Sequence, residues 1–168
     1  LSRMAKGFEN GEVVLGYCGM EQRDGFTNKI IRCSRVMSST RWLASAIAGR
    51  PYRGIIHNIG FTRRLYFEHK GFGHLNMNLG EDDLFIQQIA TAENTSIVMN
   101  PNAVVKHEHW GGLDRWWRQR RFYSATERYS PAWAQTLVGW ELGSRTPYLV
   151  GVIVLLAIMP LEIKWAAL

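Results

Sequence analysis

The sequence predicts an α/β domain followed by a C-terminal helix of membrane type, and three observations carry that expectation. Short apolar runs rich in Val and Ile alternate with longer stretches whose apolar residues recur at helical spacing, the pattern of strands interleaved with helices. Glycine or proline marks most of the changeovers, as in AGRPYRG (48–54) and MNPN (99–102). Tyr148 to Leu161, YLVGVIVLLAIMPL, then runs for fourteen residues without a charge. Residues 1–129 are expected to form the α/β part, and residues 130–168 an interfacial and transmembrane-type helical segment.

GEVVLGY (11–17) follows FENG and reads as a short buried strand leaving a turn. Phe26 to Ala48 reads as a long helix: Phe26, Ile30, Ile31, Met37, Leu43 and Ile47 supply its apolar face, and Lys29, Arg32, Arg35 and Arg41 a basic one. That basic face suits a solvated surface, or an anionic bilayer on which an amphipathic helix can lie. Gly49 and Pro51 break the helix, IIHNIGFT (55–62) resumes as a strand, and Arg63 to His69 forms a short helix. GFGHLNMNLG (71–80) is a glycine-bounded loop, after which Leu84, Phe85, Ile89 and Ala90 repeat at helical spacing. SIVMNPNAVVKHEHW (96–110) supplies one or two strands interrupted by an Asn-Pro turn.

Fourteen uncharged residues fall short of the roughly 20 that a spanning helix needs. Continuing through EIKWAAL adds Glu162 and Lys164, a costly pair in hydrocarbon away from an interface. Yet Gly151 to Leu156 leaves no polar face, and a helix apolar all round must be fully buried or in lipid. A chain of 168 residues has little interior in which to hide it, so membrane association is expected.

The composition, 46% hydrophobic and 20% charged, excludes a disordered tail. Twenty Lys and Arg against fourteen Asp and Glu give a formal charge of +6, which favours anionic partners: nucleic acid, phosphorylated substrates or anionic lipid. Cys18 and Cys33 have no metal-ligand spacing and suggest no disulfide framework, consistent with a reducing, cytosolic setting.

Three stretches carry chemistry. GEDDLF (80–85) crowds Glu81, Asp82 and Asp83 before an apolar helix; one carboxylate can cap that helix, and two are left over. KHEH (106–109) places His107 and His109 on one face of a strand, and WWRQRRFY (116–123) combines cations with aromatics. In this order, ahead of a membrane-type helix, they resemble the second half of the catalytic domain of family 2 glycosyltransferases, which have the GT-A fold and invert the transferred sugar. EVVLGY and YRGIIHNIGFTRRLYFEHKGF are similar to that family's strand after its metal-binding aspartates and to its acceptor-side segment. The resemblance covers most of residues 1–145 and implies a partial GT-A domain, its acceptor and catalytic-base half.

The resemblance implies a general base in the acidic motif: Asp82, with Asp83 its rival and Glu81 a supporting or acceptor-contacting residue. Such a base takes the acceptor hydroxyl proton as that oxygen attacks the anomeric carbon, and crowded carboxylates raise one another's pKa. The family's QxxRW motif helps hold the donor diphosphate, where arginine suits the charge that builds on phosphate oxygens. Here the spacing is one residue shorter: Gln119, Arg121 and Phe122 match it, with Arg120 the alternative arginine, while Trp117 and Asn58 join the expected substrate contacts. His107 is similar to a third metal ligand seen after the base helix in some GT-A enzymes, and its alternative reading is a hydrogen-bonded structural histidine.

The implied cofactor is a divalent cation, Mg or Mn. Because no DxD triplet occurs and the chain opens at Leu1 without initiator Met or signal peptide, most of the cation's ligands and the donor-binding half are expected upstream, and the fragment alone is expected to be inactive. The implied partners are a nucleotide-diphosphate sugar, a carbohydrate or lipid-linked acceptor, and a membrane with the catalytic part on its cytoplasmic side, as at a bacterial inner membrane; nucleic acid is not expected. Two other functions fit parts of the sequence: a basic nucleic-acid-binding module built on WWRQRRFY, or a non-catalytic membrane-associated assembly subunit. The acidic cluster and the apolar tail speak against the first, and the second leaves GEDDLF as mere capping.

Overall fold

Val13, Val14 and Leu15 have no polar side because the strand they form is central. In the computed structural model, which describes residues 2–73, 80–108 and 112–158 apart from the side chains at 122, 123 and 125, strand β1 (Val13–Gly16) is buried along its whole length. It pairs antiparallel with β3 (Ile59–Phe61), Val14 opposite Gly60, and parallel with β4 (Thr95–Val98), Val14 opposite Ser96. A strand with neighbours on both edges and both faces buried reads as a continuous apolar run rather than an alternating one. Past Tyr17 the chain resumes as β2 (Cys18–Met20), which pairs parallel with β5 (Val105–His107) in a second, two-stranded sheet.

The chain is thus mixed α/β with small sheets, and it divides into two units, Leu1–Ser130 and Pro131–Leu168. In the first, helix α1 (Ser2–Ala5) and a 3₁₀ turn lead into β1, and the long α2 (Phe26–Ile47) follows β2. IIHNIGFT is only half strand, because Ile56–Asn58 winds into a 3₁₀ turn before β3 begins. Helix α3 (Arg63–Glu68) starts at Thr62, whose hydroxyl accepts the Leu65 N–H at 3.4 Å, a side-chain N-cap. Helix α4 (Glu81–Ile89) precedes β4, the Asn-Pro turn is a 3₁₀ turn at Pro101–Ala103, and α5 (Leu113–Glu127) closes the unit. Of the glycine-bounded loop, residues 74–79 lie outside the described residues, as does His109.

The buried stripe of α2 differs from the expected one. Ile31, Trp42, Leu43 and Ala46 face inward, whereas Phe26 and Ile47 are 77% and 66% exposed. Apolar residues are spread round more of this helix than one stripe needs, and the bulk of Trp42, 2% exposed, decides which arc turns in.

In the second unit the uncharged run belongs to a longer helix, α6 (Ala132–Ile158), with Pro147 inside it. Its 27 residues are long and apolar enough to cross a membrane, and no residue of its most apolar window is buried. At 1.5 Å per residue such a helix spans about 40 Å, against roughly 30 Å of hydrocarbon. Its charges near the middle are neutralised in place, Arg145 donating to Glu141 one turn earlier. Met159 to Leu168, including Glu162 and Lys164, lies outside the described residues.

Candidate functional site

The acidic triplet opens α4, but none of its members is the cap. Gly80 holds that position in the left-handed region, φ 88°, and among the described residues no side chain caps the helix. A Cβ on Gly80 would stand 2.2 Å from Cγ2 of Thr126, so α5 meets the start of α4 only because position 80 has no side chain. Glu81, Asp82 and Asp83 fill the first turn, where the helix dipole favours negative charge. Asp82 and Asp83 are 6% and 3% exposed, so each needs partners.

The two aspartates are partnered very differently. Arg53 takes both oxygens of Asp83, Nε donating to Oδ1 at 3.0 Å and Nη2 to Oδ2 at 2.5 Å, and the Thr126 hydroxyl donates to Oδ2 at 3.3 Å. The third arm of the guanidinium, Nη1, donates to Glu127 Oε1 at 3.2 Å. Arg41 of α2 reaches the same oxygen at 3.5 Å and donates through Nε to the Tyr52 hydroxyl at 3.3 Å. Asp82 accepts only the Ile56 backbone N–H, at 3.1 Å on Oδ2, so its other oxygen has no donor among the described residues. Oε2 of Glu81 is likewise buried with no hydrogen-bond partner among them.

Burial pushes the Asp83 carboxyl up, to about 6; Arg53 pulls it back by charge and hydrogen bonds, Asp82 beside it adds to the rise, and Thr126 opposes it. Burial works against the Arg53 charge as well, but Asp83 and then Glu127 outweigh it, and the guanidinium stands above its ordinary value.

Arg53, Arg41, Tyr52, Thr126 and Glu127 are functional candidates that the motifs miss. AGRPYRG reads as a helix breaker, and the signal lies in the Arg itself: a cation in a short segment flanked by buried apolar runs has to be matched, and GEDDLF has acids to spare.

The remaining expected residues are dispersed. Asn58 is 5% exposed, and its amide nitrogen donates to the backbone carbonyls of Tyr17 and Ala103 at 2.8 and 3.0 Å, stapling the junction between β1 and β2. His107 on β5 lies against His57, the rings 4.5 Å apart centroid to centroid and tilted by 37°. Among the described residues no group of three or more His, Cys, Asp or Glu comes together as a metal site. Gln119, Arg120 and Arg121 of α5 are exposed, Trp117 is 58% exposed and packs at 6.0 Å on Trp116, and the Phe122 side chain lies outside the described residues.

Helical arithmetic orders this cluster. Seven residues make nearly two full turns, so Gln119 shares a face with Thr126 and Arg120 with Glu127, the two residues that touch the acidic centre, whereas Arg121 is turned well away. Arg120 also donates to Ser34 Oγ on α2 at 2.7 Å and lies over the Trp116 ring, while Arg41, seven residues beyond Ser34, reaches Glu127. The two bonds tie α2 to α5 at points seven residues apart on each helix, in the same chain direction.

The arrangement can hold one carboxylate rigid with an oxygen available, while neutralising the carboxylate next to it. No family model, curated protein or solved structure matches the chain.

Proposed function

We propose that the chain supplies the general base of an inverting sugar transfer at a membrane, Asp82 accepting the proton of an acceptor hydroxyl as its oxygen attacks the anomeric carbon of a nucleotide-diphosphate sugar. The observation that carries the proposal is the asymmetry of the two aspartates. Asp83 is consumed by Arg53 and Thr126, whereas Asp82 is fixed through one oxygen by the Ile56 N–H and keeps the other for a proton. A positioned carboxylate of this kind contributes about 10²- to 10⁴-fold to the rate. Glu81, in the same helical turn, is the supporting or acceptor-contacting residue of this reading.

The basic face of α5 supports the same chemistry. A nucleoside diphosphate leaves with charge building on its phosphate oxygens, and preorganised cations are the strongest stabilisers of that charge. Arg120, on the face of Glu127, suits this task better than Arg121, and Gln119 lies beside it. Among the described residues no group of three or more His, Cys, Asp or Glu is gathered to hold a divalent cation. The length and apolarity of α6 support attachment of the reaction to a bilayer.

The test is sugar transfer and nucleoside diphosphate release in the natively expressed protein, assayed over a panel of uridine and guanosine diphosphate sugars. Asp82→Asn should lose at least about 10²-fold in turnover while donor affinity is kept. Near-normal turnover in Asp82→Asn with collapse in a folded Asp83→Asn moves the base by one residue; indifference to both ends the proposal.

A further inference from the structure

The basic face of α2 that the sequence assigns to solvent or bilayer does something else in part. Lys29, Arg32, Cys33 and Val36 follow one another at i, i+3, i+4 and i+7, which places them on one side of the helix. That side covers β2 and β5 and leaves a cavity of about 400 Å³ between them. Gly19 and Lys106 are cross-strand partners in that sheet and line the cavity together. A Cβ on Gly19 would meet the Tyr17 ring at 3.2 Å, so the glycine keeps this part of the floor at backbone level with Tyr17 beside it.

The charge of the cavity is one-sided. Lys29, Arg32 and Lys106 line it and, among the described residues, no carboxylate does. The nearest acids along the chain, Glu21 and Glu108, are both paired with Arg23. Arg35 adds a fourth cation close enough to act on the Tyr17 hydroxyl, which burial nonetheless pushes above its ordinary pKa and so keeps as a neutral donor. Cations gathered round a concavity without a counter-charge repel one another, a cost that an anion relieves.

We propose that this cavity is a phosphate-binding site, separate from the acidic centre, that takes a phosphate monoester or diphosphate. Arg32 supplies the planar fork suited to two phosphate oxygens, Lys29 and Lys106 supply point charges, and the Tyr17 hydroxyl completes the donor set. The volume exceeds that of a bare phosphate, and Met20 and Val104 give the organic part of the ester an apolar wall. The ester can be a soluble metabolite or a lipid headgroup, because both present the same oxygens.

Cys33 makes the site readable, since this residue lines the cavity and is exposed while Cys18 is buried. With the full chain in neutral detergent at constant ionic strength, pyrophosphate should slow alkylation of Cys33 by iodoacetamide. The slowing should be about tenfold when pyrophosphate stands about ten times above its dissociation constant. Arg32→Gln should shift the protection curve to higher pyrophosphate by about tenfold, as expected for loss of a charge-assisted hydrogen bond. Lys106→Gln, at an exposed strand position, gives the same test without disturbing the helix.

A parallel arm reconstitutes the chain in phosphatidylcholine vesicles with and without phosphatidic acid. Protection by phosphatidic acid alone makes the ligand a lipid, and protection by pyrophosphate makes it a soluble phosphate. Alkylation indifferent to both overturns the proposal, as does protection unchanged by Arg32→Gln and Lys106→Gln. Protection that sodium chloride reproduces also overturns it.

Discussion

Arg53 is a guanidinium 9% exposed, and all of its described hydrogen bonds run to two carboxylates. Truncating it leaves Asp83 buried with only the Thr126 hydroxyl, while Glu127 keeps Arg41, so Arg53→Met should cost the first unit about 3–5 kcal/mol, read as a lowered denaturation midpoint at unchanged slope. Arg53→Lys should recover only part of this, because an ammonium cannot grip both oxygens of Asp83. Titration separates burial from pairing. With Asp83 at about 6 in the fold and at an ordinary carboxylate value when unfolded, the native state binds the extra proton between about pH 4 and pH 6. Stability is then fully present below that window and declines as pH rises through it, by on the order of 3 kcal/mol. Melting temperatures measured across pH 4–7 should show this decline, and Asp83→Asn should flatten it. A melting temperature that instead climbs through the window in the native protein alone would mean that Arg53 outweighs burial.

At the scale of elements, the site exists because three segments distant in sequence meet: the turn after α2, the start of α4 and the end of α5. Gly80 is the hinge of that meeting. Gly80→Ala forces a side chain into the left-handed region and drives its Cβ against Thr126, so a loss of about 1–3 kcal/mol is expected. Thr126→Ser removes the offending methyl but keeps the hydroxyl that bonds Asp83, so the double variant should recover part of the loss, measured as melting temperature against both single variants. Additive destabilisation would show that α5 does not press on position 80. Arg120 and Arg121, adjacent in sequence, fall on different faces of α5. Arg120→Lys should therefore slow transfer by about tenfold or more and Arg121→Lys much less, since only the former sits on the side of the acidic centre.

At the scale of the whole molecule, hydrophobic attachment through α6 should hold the protein in the membrane fraction through high salt and alkaline carbonate, because neither weakens apolar burial. Release by salt alone would assign the attachment to the basic surface instead. The mixed α/β character, the span of α2 almost to the residue, the existence of a helix following GEDDLF's glycine and the apolarity of the C-terminal helix were legible in the sequence, although α4 takes in the acidic triplet that was expected to precede and cap it. Each of these rests on local periodicity, turn residues or composition, which neighbours along the chain suffice to express. What α2 buries was legible only for Ile31 and Leu43, and that its basic residues divide between a cavity, Tyr17 and Glu127 was not. The unequal fates of Asp82 and Asp83 were equally hidden, since adjacent carboxylates look alike until the fold brings Arg53, 30 residues away, and Thr126, 43 residues away, to only one of them. Tertiary structure alone decided that assignment, because the partner of a buried charge is selected by packing distance and not by position in the chain.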